Sequence, residues 1–401
     1  MPRDADGTGY FGGDYVQASH DPPDRRRSSL AAKYTLEYGV ATRQRGCTPP
    51  LAARVRKEFR IMRISLFELG LVVLLTMPLA CSDARDAAHS GEPSSPAAMN
   101  GSPVVLATGL DSPHSLVVET DYAYLAVGAL SRKAASIVRI PTDGGATETL
   151  VSNLTNPAGL VIDAGALYFA SYDDDEEAWT IDRVSLASGE REGLASDTNI
   201  VTFDVGGGYV YWTVPEAGLV SAGRVMRVPT TGGEPEEVAR ENVPRNLEIG
   251  RNYAYYVTGG ANGSLIKQVP LAGGTPVSLL TTVGGIRGLI VEPESASLYW
   301  LESASIKTMA LGEESSHRVA KMSEDDDVSM VATAGALYWT ECNISSPDNG
   351  KVLTLLLPEG EASTLAERQS CPANVVRSGA SLYWTTFEKI NESGSLQRLA
   401  L

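Results

Sequence analysis

The chain has 401 residues, enough for two or three ordinary domains or one large repeat domain. Its 39 glycines and 16 tyrosines, with no long helical periodicity in the second half, point to short strands and tight turns. The formal charge is −16 and unevenly placed: residues 1–100 carry 13 Lys+Arg against 11 Asp+Glu, leaving 20 against 38 for the rest, a surface that repels phosphate backbones and argues against nucleic acid as a partner. The four cysteines (Cys47, Cys81, Cys342, Cys371) form no CxxC and the four histidines are scattered, so a zinc site has no support. Residues 1–61 are rich in Arg, Asp and Gly without an apolar period and are expected to form a disordered extension. Met62 is the expected translation start, which would leave 1–61 untranslated.

Arg54, Arg56, Lys57, Arg60 and Arg63 precede a mainly apolar run from Ile64 to Ala80, about signal-core length and short for a membrane span. Glu68 lies within it and would be costly at a bilayer centre. The run ends Met77-Pro78-Leu79-Ala80-Cys81 and resembles a bacterial lipoprotein signal, in which a small residue precedes a cysteine that is lipidated and becomes the new N-terminus. The resemblance departs at Pro78, where the family usually has Leu, and at the large Leu79. It implies a signal peptide over 62–81, lipidation at Cys81, and a lipid-anchored cell-envelope protein, periplasmic or outer-surface, with secretion as the alternative. Cleavage by the general signal peptidase would use Pro78-Leu79-Ala80, a poor A-x-A site, and a plain membrane anchor ranks third. Residues 82–101, rich in Ala, Ser, Pro and Asp, read as a flexible linker.

From residue 102 onward a tyrosine anchor recurs: Tyr124, Tyr168, Tyr211, Tyr255, Tyr299, Tyr338 and Tyr383, at spacings of 44, 43, 44, 44, 39 and 45 residues. These define repeats 1 to 7. Before each anchor lies a short apolar run, such as Leu116-Val117-Val118 or Phe203-Asp204-Val205, expected to be an inner strand with the anchor in the second. A third strand follows in period two, with Arg139, Arg183, Arg227 and Arg398 at one recurring step, then a glycine turn into a fourth. Repeat 7 stops after its third strand, and Val104–Thr108 matches the missing fourth. The expectation is an all-β fold over 102–401, a single seven-bladed β-propeller of four-stranded antiparallel blades closed by strand 104–108.

The Tyr-Trp-Thr triplets at 211–213, 338–340 and 383–385 resemble YWTD-type propellers, and the whole repeat resembles uncharacterised bacterial lipoproteins of that kind. Val214, Glu341 and Thr386 replace the family Asp, and the receptor YWTD domains have six blades, so their partners do not carry over. In the family these aromatics pack between blades, which implies a core role for Tyr211, Trp212, Trp300, Trp339 and Trp384.

Cys342, just past the second strand of repeat 6, and Cys371, entering repeat 7, are expected on one face, close enough for a disulfide in an oxidising compartment, with two free thiols as the competing reading. No nucleophile elbow, phosphate loop or HExxH occurs, although propeller enzymes gather residues from several blades. The entry loops of the inner strands place Ser115, Gly159, Thr202, Asn246, Gly288, Ser329 and Asn374 in register, read mainly as small residues in a crowded channel. One step earlier come His114, Arg245 and Arg287, candidates with Asn246 and Asn374 for an anionic ligand, against solvated or internally paired loop residues. Asp173, Asp174 and Asp175, and Asp325, Asp326 and Asp327, are candidates for Ca²⁺, the only cofactor in view, against solvated charge. The leading reading is a monomeric, non-enzymatic binding or scaffold protein whose loop-bearing face contacts an envelope or extracellular protein, peptide or glycan, with the membrane reached only through the lipid. The alternative is a metal-assisted, lyase-like propeller enzyme, since virginiamycin B lyase is also seven-bladed, but only His114 is placed to serve it.

Overall fold

A computed structural model of the protein describes residues 101–401 except 129–132, 217–221, 261–262, 293, 295, 323–325, 344, 359 and 388–392. The predicted extension, signal and linker, with Cys81, lie outside the described residues. The tyrosine repeats build antiparallel four-stranded meanders, as alternating apolar and polar residues between glycine turns require. In repeat 3 the sheet runs in chain order: Thr202–Gly206, Tyr209–Pro215, Gly223–Pro229 and Glu236–Glu241. Repeats 4 and 5 follow suit, and repeat 6 adds a two-residue strand, Asp326–Asp327, against Cys342 and Asn343. Among the described residues the one helical element is the 3-10 turn Pro347–Asn349, and no helix is long and apolar enough to cross a membrane.

Two features decide how the ends and joints are made. Val104–Asp111 takes the outer edge of the last sheet, pairing from Val104 opposite Arg398 to Asp111 opposite Ser393. The strand is longer than the expected 104–108 because its two register shifts let it follow Ser393–Ala400 to the end. The other feature departs from the expectation of separate blades: among the described residues six sheets form, one of them seven-stranded. Strand Glu148–Asp163 runs 16 residues, serving as fourth strand of repeat 1 and inner strand of repeat 2. It bends without breaking because Asn153, Asn156 and Gly159 take positive φ (60°, 48° and 57°), which Asn and Gly tolerate. Successive inner strands lie side by side, and that of repeat 7, Ala373–Ser378, lies beside that of repeat 1, Ser115–Glu119.

The core sits between neighbouring sheets. Tyr168, Phe203 and Trp212 share one apolar cluster drawn from repeats 2 and 3, while Tyr255, Leu289 and Trp300 share another from repeats 4 and 5. A second strand such as Tyr209–Pro215 is therefore buried on both faces, and Trp212, Trp300, Trp339 and Trp384 are fully buried. Each indole N–H still finds an acceptor: Asp197, Glu302, Glu341 and the Gln369 amide oxygen respectively. The recurring arginine has a double role. Arg139, Arg183 and Arg227 pair with Glu148, Glu192 and Glu236 across the third and fourth strands. Arg183 also donates to Thr230 O (2.6 Å), Arg227 to Leu271 O, and Arg398 to Thr142 O (2.7 Å), each tying its repeat to another.

Candidate functional site

The inner strands carry the residues that could face a ligand, and their pairing fixes the register. Opposite the seven anchors stand Val117, Val161, Asp204, Glu248, Ile290, Val331 and Val376. Five are aliphatic, and the two carboxylates occupy adjacent repeats. Asp204 accepts the backbone N–H of Val205 (2.7 Å) and, across the seam, of Ile249 (2.7 Å). The backbone N–H of Val291 in repeat 5 acts on Glu248 in the opposite sense to its burial, favouring the charged form. Burial pushes the Asp204 carboxyl up to about 6, the two N–H donors opposing and the Asp163 charge adding to it. Glu248 is raised well above the carboxylate range by burial first and by the Asp204 charge second. Side-chain exposure of both is intermediate, so solvent reaches them although many atoms surround them. The sequence already held this signal, two acids at a step where five repeats have Val or Ile, but read as strand markers the runs at 203–205 and 247–249 concealed it.

Two residues earlier, the small-residue step has a more specific cause than crowding. Gly159, Asn246, Gly288 and Asn374 have φ of 57°, 50°, 69° and 51°, at register shifts that let each inner strand start with a bulge. Ser115, Thr202 and Ser329 are outside that set, and two of these hydroxyls are used between repeats: Leu247 N–H donates to Thr202 Oγ1 (3.2 Å) and Val375 N–H to Ser329 Oγ (3.0 Å). Asn374 donates to Thr385 Oγ1 at 2.9 Å and reaches Pro113 O at 3.5 Å.

The predicted ligand candidates therefore part company. His114 Nδ1 lies 2.8 Å from Ser112 O and Nε2 2.9 Å from Pro157 O, so its ring ties repeat 1 to the start of repeat 2. In either neutral tautomer one nitrogen donates to its carbonyl and the other faces one, so neither is turned to a ligand. Arg245 donates to Ser264 Oγ (3.2 Å), whereas Arg287 is exposed. Asp173 turns its own loop by accepting the N–H of Asp175 (2.8 Å) and Glu176 (3.1 Å). Asp174 accepts the Thr155 hydroxyl (2.6 Å) and Asp175 pairs with Lys133 (3.3 Å). These three aspartates line a polar hollow of about 160 Å³ with Lys133, Thr155 and Tyr172, on the face predicted to bear the loops. Asp325 lies outside the described residues, as do the side chains of Asp326 and Asp327. Among the described residues no three His, Cys, Asp or Glu are grouped to hold a metal ion. Two larger hollows, about 440 and 340 Å³, open at the hairpins between inner and second strands, on the opposite face. Cys342 and Cys371 are joined, with Cα atoms 4.7 Å apart, as their placement on one face predicts.

No family model matches the chain, and no curated protein matches it. Among solved structures, the chain is similar to an oligogalacturonate lyase from Vibrio parahaemolyticus, at 10% identity and TM-score 0.55, over 74% of this chain and 93% of that one. It is also similar to the β-propeller domain of the Trilobed protease from Pyrococcus furiosus, at 10% identity and TM-score 0.53, over 73% and 96%. A prolyl endopeptidase is matched at 9% identity and TM-score 0.51 over 73% of this chain, which spans only 50% of that enzyme's length. The neighbours thus include both whole enzymes and a propeller domain of a larger one, and at such identities they share with this chain its fold, an all-β propeller.

Proposed function

We propose that the protein is an exported, lipid-anchored binding or scaffold module, built as a closed seven-bladed propeller of YWTD-like repeats. Its loop-bearing face would contact a protein, peptide or glycan of the envelope or exterior. The seven-blade reading counts the seven-stranded sheet as two blades sharing Glu148–Asp163 and the last sheet as closed by Val104–Asp111. The neighbouring of the first and last inner strands and the Arg398 to Thr142 bond support it. Lipidation at Cys81 and passage to the envelope rest on the signal resemblance, and the disulfide suits an oxidising compartment.

One observation carries the choice of binding over catalysis: each ring nitrogen of His114 lies against a backbone carbonyl oxygen. A metal-assisted lyase of the kind considered from sequence would need that ring free. Binding is favoured by the polar hollow beside Tyr172, whose ring meets Trp179 at 71° and offers an apolar surface among hydrogen-bonding groups. Ca²⁺ at Asp173–Asp175 is a weaker proposal, because that loop is already held by its own carboxylates.

The test immobilises the full chain and challenges it with envelope extract and a glycan panel, beside Tyr172→Ala and, on the opposite face, Arg377→Ala. Capture lost in the first variant and kept in the second supports the reading. Equal capture by both, or turnover of a polyuronide abolished by His114→Ala, overturns it.

A further inference from the structure

We infer that Asp204 and Glu248 form a proton-sharing carboxyl pair across the seam between repeats 3 and 4, so that the seam tightens when the pair holds a proton and loosens when both groups ionise. The inference goes beyond the proposed binding role and stands or falls separately from it.

The geometry is specific. The two residues hold the same register step in neighbouring inner strands, each directly opposite a buried tyrosine, Tyr211 and Tyr255. The strands Thr202–Gly206 and Arg245–Ile249 lie side by side, and Asp204 is bonded to the N–H of Ile249, the residue after Glu248. One carboxylate in this position is reasonable, because it satisfies an amide on the free edge of the next strand. Two repel, and among the described residues no basic side chain is seen to act on either carboxyl. On the strands packed against Asp204, the facing titratable groups are Asp163, Glu248 and Tyr211; against Glu248 they are Asp204, Glu292 and Tyr255. Arg245, three residues before Glu248, is directed to Ser264, and Arg287 is exposed. Across the seven inner strands no Lys, Arg or His shares the step of the pair or the steps two residues before and after it. Two like charges in such a place keep one proton between them longer than either would alone, and their titration belongs to the pair. The upward displacement of both carboxyls agrees.

The substitutions are not equivalent. Asp204 uses both carboxylate oxygens to accept N–H groups, so an Asn there would turn an NH₂ toward a donor. Glu248→Gln keeps shape and one acceptor, removes a charge, and can donate to Asp204. Thermal melts of the full chain from pH 4 to pH 8 would compare wild type, Glu248→Gln and the exposed control Glu314→Gln. The expected result is a wild-type midpoint that falls across this range, a control profile parallel to it, and a Glu248→Gln profile that is flatter and higher at pH 8. A Glu248→Gln profile parallel to wild type overturns the inference. If that variant does not fold, carbon-13 titration of the wild-type side-chain carboxyls decides. Coupled two-step curves for Asp204 and Glu248 support the pair, and independent single steps in the ordinary carboxylate range overturn it.

Discussion

The seams between repeats 3 and 4 and between repeats 6 and 7 meet one physical requirement with different chemistry. An inner strand leaves N–H groups on its free edge, and buried donors must be satisfied. At the 6–7 seam a neutral hydroxyl, Ser329, accepts Val375 N–H, and the Cys342–Cys371 bond adds a covalent tie. At the 3–4 seam Thr202 plays the hydroxyl part, but Asp204 adds a charged acceptor. The same seam carries a largely buried pair in which Lys267 Nζ lies 2.7 Å from Glu241, which also accepts the Tyr256 hydroxyl at 2.9 Å. Burial, then the Glu241 charge, pushes that hydroxyl's pKa up. Charged acceptors make stronger bonds but carry a desolvation cost, and they make stability depend on pH where a serine does not.

Four measurements would break or sharpen this contrast. Leu247→Ala, in the apolar cluster between repeats 3 and 4, and Leu382→Ala, in that between repeats 6 and 7, each empty a buried leucine site and should each cost about 2–5 kcal/mol in denaturant unfolding. Similar losses would show that the apolar packing beside the two seams is comparable, so that the polar chemistry is what differs. Replacing Cys342 and Cys371 with Ala should cost roughly 3.6 kcal/mol, the chain-entropy value for a loop with a 29-residue separation. A difference between wild type and variant that is present in oxidising buffer and vanishes under reducing conditions would confirm that the bond, rather than cavity formation, is responsible.

The pH dependence carries a definite sign. Asp204 is raised from 3.8 to about 6 in the folded chain, so the folded state binds more protons than the unfolded state between those values. Its contribution is therefore lost as pH rises from about 4 to about 6, by at most about 3 kcal/mol, and Glu248 extends the loss in the same direction. Chemical denaturation at pH 4.5 and pH 7.5 checks this, with Glu248→Gln as the comparison. The smallest effect is expected at Ser329→Ala, which leaves Val375 N–H without its acceptor and should cost about 1–2 kcal/mol equally at both pH values. A cost there that varied with pH would undo the distinction between the seams.

Much of the architecture was legible because apolar periodicity writes it directly. The anchors Tyr124 to Tyr383 mark every second strand, and Val104–Asp111 pairs with the last sheet as the likeness of Val104–Thr108 to a fourth strand suggests. What was not legible depends on backbone angles and on side chains meeting across repeats. Asn246 and Asn374 resemble ligand-binding amides in sequence, yet their positive φ shows a backbone requirement that Asn meets as glycine does. His114 resembles a free imidazole until Pro157 O is found 2.9 Å from it. The acidic pair was hidden because a strand pattern marks which residues face together, while the charge problem appears only when two strands are set side by side.

The continuous strand Glu148–Asp163 has a mechanical consequence. Where repeats 3 and 4 are joined by Asn242, Val243 and Pro244 outside any strand, repeats 1 and 2 share one unbroken ladder element, so neither can open without disturbing the other. Amide exchange in this pair should accordingly show a single cooperative unit about twice the size of its neighbours, and pulling from the N-terminus should peel Val104–Asp111 from the last sheet before meeting that larger block.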